Sequence, residues 1–86
     1  MTTVDDMIRD IFREGGILPV DIATLGDSAD LYAAGLTSHA TVNLMLSLEE
    51  KFDVEFPDRL LRRRTFESID SIKAAVGELL DQKAAA

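Results

Sequence analysis

Apolar residues along this chain fall into three runs of helical spacing, separated by one long aperiodic stretch and one short break. The first run places Val4, Met7, Ile8, Ile11 and Phe12 at offsets of 0, 3, 4, 7 and 8. That spacing predicts one apolar stripe on a helix, with Asp5, Asp6, Arg9, Asp10 and Arg13 elsewhere on its surface. Acids near its start suit the helix dipole, and Gly15-Gly16 should end it. From Gly15 to Thr37 no period is sustained, and Gly, Pro, Asp and Ser recur. An ordered loop is expected here, with a helical turn near Ile22–Leu25. Loops of about 20 residues are unusual in compact domains and are often functional. Ile17, Leu18, Val20, Ile22, Leu25, Leu31 and Leu36 give this one too much to bury for it to be a linker.

A second helix is predicted from Ser38 to Phe52, and it carries two apolar stripes. At about 100° per residue, Leu44, Met45, Leu48 and Phe52 gather on one side. Val42, Leu46 and Glu49 fall nearly opposite, in line with Ser38. One stripe is enough for a helix that packs on a single core, so either this helix is buried on both sides or one stripe awaits a partner, and in a domain this small the partner is expected. Phe56-Pro57-Asp58 then breaks the chain. Pro57 suits the opening of a short third helix over roughly Asp58–Arg63. Thr65 or Ser68 can cap a last helix, in which Ile69, Ile72, Val76, Leu79 and Leu80 again follow helical spacing. Fraying is expected from Gln82 to Ala86.

Composition acts mainly by exclusion. The chain has 86 residues and no cysteine, so disulfides, thiolate metal sites and thiol nucleophiles are ruled out. His39 is the single histidine, which argues against a His-based metal site, and no metal is expected. Eighty-six residues make one small domain, 1–86, whose core must be mainly aliphatic because only Phe12, Tyr32, Phe52, Phe56 and Phe66 are aromatic. No 18 apolar residues run together, and the N-terminus lacks the basic-then-apolar order of a signal peptide. A soluble, cytoplasmic monomer without a membrane partner is expected. Net charge is −7: residues 1–43 hold seven acids and two arginines, residues 44–86 nine acids and seven bases. Acidity of this kind repels nucleic acid and steers the chain toward basic surfaces, or simply keeps it soluble.

Candidate chemistry centres on Gly35-Leu36-Thr37-Ser38-His39, where the loop meets the second helix. Taken alone, Thr37 or Ser38 reads as an N-cap. A Ser–His catalytic pair does not work, because adjacent helical residues point about 100° apart and no acid is placed to orient the imidazole. The chain on its own is not expected to be an enzyme, and no catalytic residue is assigned.

The order of motifs around this point resembles the acyl carrier protein family. Asp30-Leu31-Tyr32-Ala33-Ala34-Gly35-Leu36-Thr37-Ser38-His39 is similar to the family's D-L-x-x-x-G-x-D-S-L. Val42 to Phe52 resembles its second helix with an L-x-x-x-L-E-x-x-F ending. Phe52 to Asp58 is similar to F-x-x-E-x-P-D, and Thr65-Phe66-Glu67-Ser68-Ile69 stands where the family has T-x-x-x-I. The likeness runs from about Asp30 to Val76. It implies an all-α, four-helix bundle with a long first loop and a short third helix. It also implies that Ser38 carries a 4′-phosphopantetheine arm, whose terminal thiol lets a protein without cysteine hold an acyl or aminoacyl thioester. The arm's phosphate would sit at the N-terminal end of the second helix, where free N–H groups favour an anion. Implied partners are a phosphopantetheinyl transferase, a cargo-loading ligase or acyltransferase, and downstream enzymes.

Three departures from the family pattern matter. Thr37 stands where Asp is usual and His39 where Leu is usual, which removes a charge and adds an imidazole. Arg62-Arg63-Arg64 occupies a stretch that is generally acidic in acyl carriers. These three cannot share one face, and pairing of some with Glu55, Asp58 or Glu67 is expected. The expected partner-binding set is Thr37, His39, Val42, Leu46, Glu49, Arg62, Arg63 and Arg64, with solvated surface the alternative reading for His39 and for the arginine run. The departures favour a specialised acyl or aminoacyl cargo over ordinary fatty-acid synthesis. The chain looks compatible with small carriers loaded with an amino acid by ligases resembling aminoacyl-tRNA synthetases. The alternative is an unmodified acidic helical adaptor that binds through the Val42/Leu46 stripe.

Overall fold

A computed structural model describes residues 3–85. Three α-helices, α1 (Val4–Gly15), α2 (Ser38–Phe52) and α3 (Ile69–Ala85), pack around one core, and no strand occurs among the described residues. None of these helices is long and apolar enough to cross a membrane.

Both ends of α1 are closed by its own sequence. Thr3 accepts from the Asp6 N–H at 3.1 Å, and the Asp6 carboxylate faces the Thr3 N–H at 3.5 Å, a reciprocal capping box. Gly16 ends the helix with φ 58°, its N–H turned back to the Phe12 carbonyl. Ile8, Ile11 and Phe12 are buried, as their spacing predicts, and Val4 and Met7 pack beside them half-buried.

The stretch from Gly16 to Thr37 is ordered loop with one 3-10 turn at Ile22–Thr24, capped by Asp21. It places Ile17, Leu18, Ile22, Leu31 and Leu36 in the core, so it is a structural layer and not a tether. Two backbone bonds fasten it to the start of the last helix: Leu31 N–H to the Glu67 carbonyl at 2.7 Å, and Asp70 N–H to the Asp27 carbonyl at 3.0 Å. Arg9 fastens it to α1. Its guanidinium donates to the carbonyls of Ile22 (3.0 Å) and Leu25 (2.9 Å) and pairs with Asp5 and Asp27.

The expected short third helix over Asp58–Arg63 is not continuous. Two 3-10 turns, Asp58–Leu60 and Arg63–Phe66, replace it, joined through Leu61 and an extended Arg62 (φ −130°, ψ 153°). Among the described residues the bundle thus has three α-helices where four were expected. The break falls at Leu61–Arg62: the Leu61 N–H closes a turn on the Asp58 carbonyl at 3.0 Å, Arg62 is extended, and beyond it the Arg63 carbonyl accepts from the Tyr32 hydroxyl at 3.0 Å, which holds the second turn against the loop. Ser68, not Thr65, caps α3, its hydroxyl accepting from the Ser71 N–H at 3.1 Å. Ile69, Ile72, Ala75, Val76 and Leu79 then line its buried side. Helix continues through Ala85, past Gln82 where fraying is expected; Ala86 lies outside the described residues. Lys83 ties this end to the end of α2, bonding the Asp53 carbonyl at 2.9 Å and carboxylate at 2.7 Å.

Candidate functional site

The junction of loop and α2 is built around a division of labour between two adjacent hydroxyls. Thr37 is the N-cap: its Oγ1 accepts from the Ala40 N–H at 3.0 Å, and its carbonyl accepts the first helical bond from Thr41 at 2.8 Å. Ser38 is thereby the first residue of the helix, exposed, with its hydroxyl outside the capping arrangement. The sequence left the cap open between the two; the structure gives it to Thr37. A threonine oxygen serves as acceptor here, so the departure from the family's aspartate leaves the cap intact.

The approach to this serine requires Gly35. Its φ of 112° lies in a region that residues with a Cβ rarely adopt, and a Cβ there would stand 2.7 Å from Pro19 Cγ. Leu36 then turns into the core while Thr37, Ser38 and His39 remain exposed.

The two stripes of α2 separate cleanly. Leu44, Leu48 and Phe52 are buried and Met45 is half-buried, whereas Val42 and Leu46 are 52% and 53% exposed. Val42 and Leu46 thus form an uncovered apolar strip that starts one turn after Ser38. Glu49, at its far end, is half-buried, and one of its carboxylate oxygens accepts from the Phe56 N–H at 2.9 Å. It holds the chain after α2 as well as bordering the strip.

Across from α2, the segment carrying the arginines closes one side of a groove of about 390 Å³ that opens beside Ser38. Thr41, Val42 and Met45 form its α2 wall; Tyr32, Leu61 and Phe66 supply much of the rest, with Arg62 and Arg63 at its edge. The Arg63 guanidinium carbon lies 3.9 Å from the centre of the Tyr32 ring. Burial pushes the Tyr32 phenol above its ordinary value, so it keeps the proton with which it bonds Arg63. The expected pairing of these arginines with Glu55, Asp58 or Glu67 is not found: among the described residues, Arg62, Arg63 and Arg64 make no ion pair, while Arg59 pairs with Glu78 at 2.9 Å. Arg64 faces away from the groove, toward Ser71 and Glu78 on α3, as expected of three residues that cannot share a face. Tyr32, Met45, Leu61 and Phe66 were not singled out as site residues from the sequence. They come together only through the fold.

This arrangement suits a phosphopantetheine arm. An exposed hydroxyl is free of structural duty, it stands at a helix start where N–H groups lack intrahelical acceptors, and the groove beside it combines apolar wall with positive charge.

Comparison with known proteins agrees. Residues 6–79 match the family model described as phosphopantetheine attachment site. The chain is 54% identical over 79 residues, 92% of its own length and 95% of the relative's, to an aminoacyl carrier protein of Agrobacterium fabrum. It resembles, with a TM-score of 0.84 and 50% identity over 88% of this chain and 99% of the other, the carrier protein from Agrobacterium tumefaciens in a crystal structure with ATP and an engineered Bradyrhizobium japonicum glycine:[carrier protein] ligase. A solution structure of an Agrobacterium tumefaciens protein matches with a TM-score of 0.76 and 52% identity, over 96% of this chain and all of the other. The chain belongs to the phosphopantetheine-attachment family and is a carrier protein, working through a phosphopantetheine arm.

Proposed function

We propose that Ser38 is the attachment point of the arm and that the cargo is an amino acid. The observation that carries the first part is the free, exposed Ser38 hydroxyl beside a cap already satisfied by Thr37. Its position within the matched segment and in the D-L-x-x-x-G-x-x-S pattern supports the same residue. The second part rests on similarity to the Agrobacterium aminoacyl carrier and to a carrier held by a glycine:[carrier protein] ligase. When bound, the arm supplies the thiol that holds the cargo as a thioester. The chain's own residues present it. Thr37 fixes the helix start, and Gly35 sets the path of the chain into it.

Thr37, His39, Val42 and Leu46, with Glu49 at the far end, make the face that partner enzymes grip. A transferase, a loading ligase and the enzymes that take the cargo onward all need access to Ser38, and this strip borders it. Arg62 and Arg63 form a basic edge beside it, suited to acidic groups on the ligase, and Arg64 extends that positive charge toward α3. The chemistry of loading belongs to those partners.

Co-expression with a broad-specificity transferase should add one arm to the chain, seen by intact mass, and Ser38→Ala should accept none while remaining folded. Attachment at Ser28, Ser47, Ser68 or Ser71 would refute the site. Incubating the holo-protein with ATP, glycine and a glycine:[carrier protein] ligase should then add the mass of an aminoacyl group. Loading by fatty-acyl or malonyl donors alone would refute the cargo class.

A further inference from the structure

The Arg62–Arg64 run is most simply read as a docking edge, but that reading leaves Arg63 unexplained. Among the described residues, Arg63 is the one of the three whose guanidinium is held over an aromatic ring. Its guanidinium stacks on Tyr32 at 3.9 Å, and the Tyr32 hydroxyl bonds the Arg63 carbonyl at 3.0 Å, fixing side chain and backbone together. Stacking occupies the face of the guanidinium and leaves its N–H edge available, the edge that matches phosphate oxygens. No carboxylate pairs with it among the described residues, in a chain of net charge −7. The groove that Arg63 borders is the one that opens at Ser38, with Arg62 beside it.

We propose that Arg63, positioned by Tyr32, takes the phosphodiester of the arm on Ser38 and holds the root of the arm along this groove. The inference rests on Ser38 as the attachment point. Its chemistry is a pre-oriented guanidinium meeting a singly charged phosphodiester, with Val42, Met45 and Leu61 offering apolar wall to the methylated part of the arm that follows. Arg62 adds positive charge at the same edge. Arg64, turned toward α3, has no part in it. Tyr32 is a positioning residue: it acts through Arg63. The arm would then leave the carrier surface in a restricted cone of directions.

Phosphorus NMR of the holo-protein tests this without any loading enzyme. In the wild type the phosphodiester resonance should differ from its free value, that of the same Ser-linked phosphodiester in the unfolded holo-protein, and move toward it as salt is raised. Arg63→Gln should bring the resonance most of the way to the free value at low salt and remove most of the salt dependence. Arg63→Lys should fall between, since it keeps the charge and loses the planar fork. Tyr32→Leu should follow Arg63→Gln, and Arg64→Gln should match the wild type. The Arg63 Nε–H proton signal should also shift between apo- and holo-protein. An unchanged phosphorus resonance in Arg63→Gln, or an equal change in Arg64→Gln, would overturn the assignment while leaving Ser38 in place. Peptide mass mapping keeps the two apart: a holo-preparation with the arm on another serine would overturn both.

Discussion

At the scale of single residues, the site depends on two positions whose roles are steric and local. Gly35 holds φ 112° against Pro19, and the residue that replaces it must either strain the backbone or push Pro19 away. Gly35→Ala is expected to destabilise by roughly 1–3 kcal/mol, read by denaturant melting. Attachment should fall with it, because the path into Ser38 shifts. Thr37→Ala should lose about 0.5–2 kcal/mol, as removal of an N-cap does, whereas Thr37→Asp should keep most of the stability because the carboxylate accepts the same bond. Ser38→Ala should change stability less than Thr37→Ala; the reverse order would mean that Ser38 is the cap. That Ser38 stands where the loop meets α2 was legible in the sequence, because Gly35 and Ser38 sit in a spaced motif; the strain at Gly35 was not. Which hydroxyl caps was not, since either residue type can do so and the choice depends on backbone dihedrals at the junction.

At the scale of elements, periodicity identified α1, α2 and α3 because each buries a stripe, and burial imposes a period on the sequence. It failed between Pro57 and Ser68. There the chain is held by Tyr32, 31 residues away from Arg63, and no local pattern encodes that bond. The groove was illegible for the same reason, since it joins Tyr32 of the loop to α2 and to the 3-10 turns. The two stripes of α2 make a paired prediction. Leu48 is fully buried, so Leu48→Ala should destabilise by about 2–5 kcal/mol. Leu46 is 53% exposed, so Leu46→Ala should change stability by about 0.5 kcal/mol or less yet slow cargo loading. Equal destabilisation by the two would show that the Val42/Leu46 strip is structural.

At the scale of the whole molecule, the long loop is as much a part of the core as the helices, and Arg9 is what joins it to α1. From sequence Arg9 was one of several polar residues on the first helix; its role is visible only once the loop folds back over it. Its guanidinium donates to the Leu25 carbonyl and adds a second bond to the Ile22 carbonyl, which the Leu25 N–H already reaches. Arg9→Met keeps much of the packing of the stem and removes those bonds, so a loss of about 1–3 kcal/mol is expected. Hydrogen exchange should quicken in residues 17–36 and, through the shared core, in α3. The charge pairs add a dependence on pH. The bond from Arg9 holds the Asp27 carboxyl below its ordinary 3.8, and Lys83 does the same to Asp53. A carboxyl whose value is lower in the folded state contributes stability that is complete above its unfolded value and is lost as pH falls through the folded one. Stability should therefore be flat from neutrality to about pH 5 in respect of these two groups and decline below about pH 4. Both aspartates are exposed, so the decline should be shallow and should shrink further in high salt. In Arg9→Met the share due to Asp27 disappears and that due to Asp53 remains, so the acid limb should flatten without vanishing. Denaturant melts of wild type and Arg9→Met at pH 7, 4 and 3 decide the matter. A stability gap between the two that stays constant across those three values would mean that Arg9 fastens the loop through the Ile22 and Leu25 carbonyls alone, with its pairing to Asp27 contributing nothing.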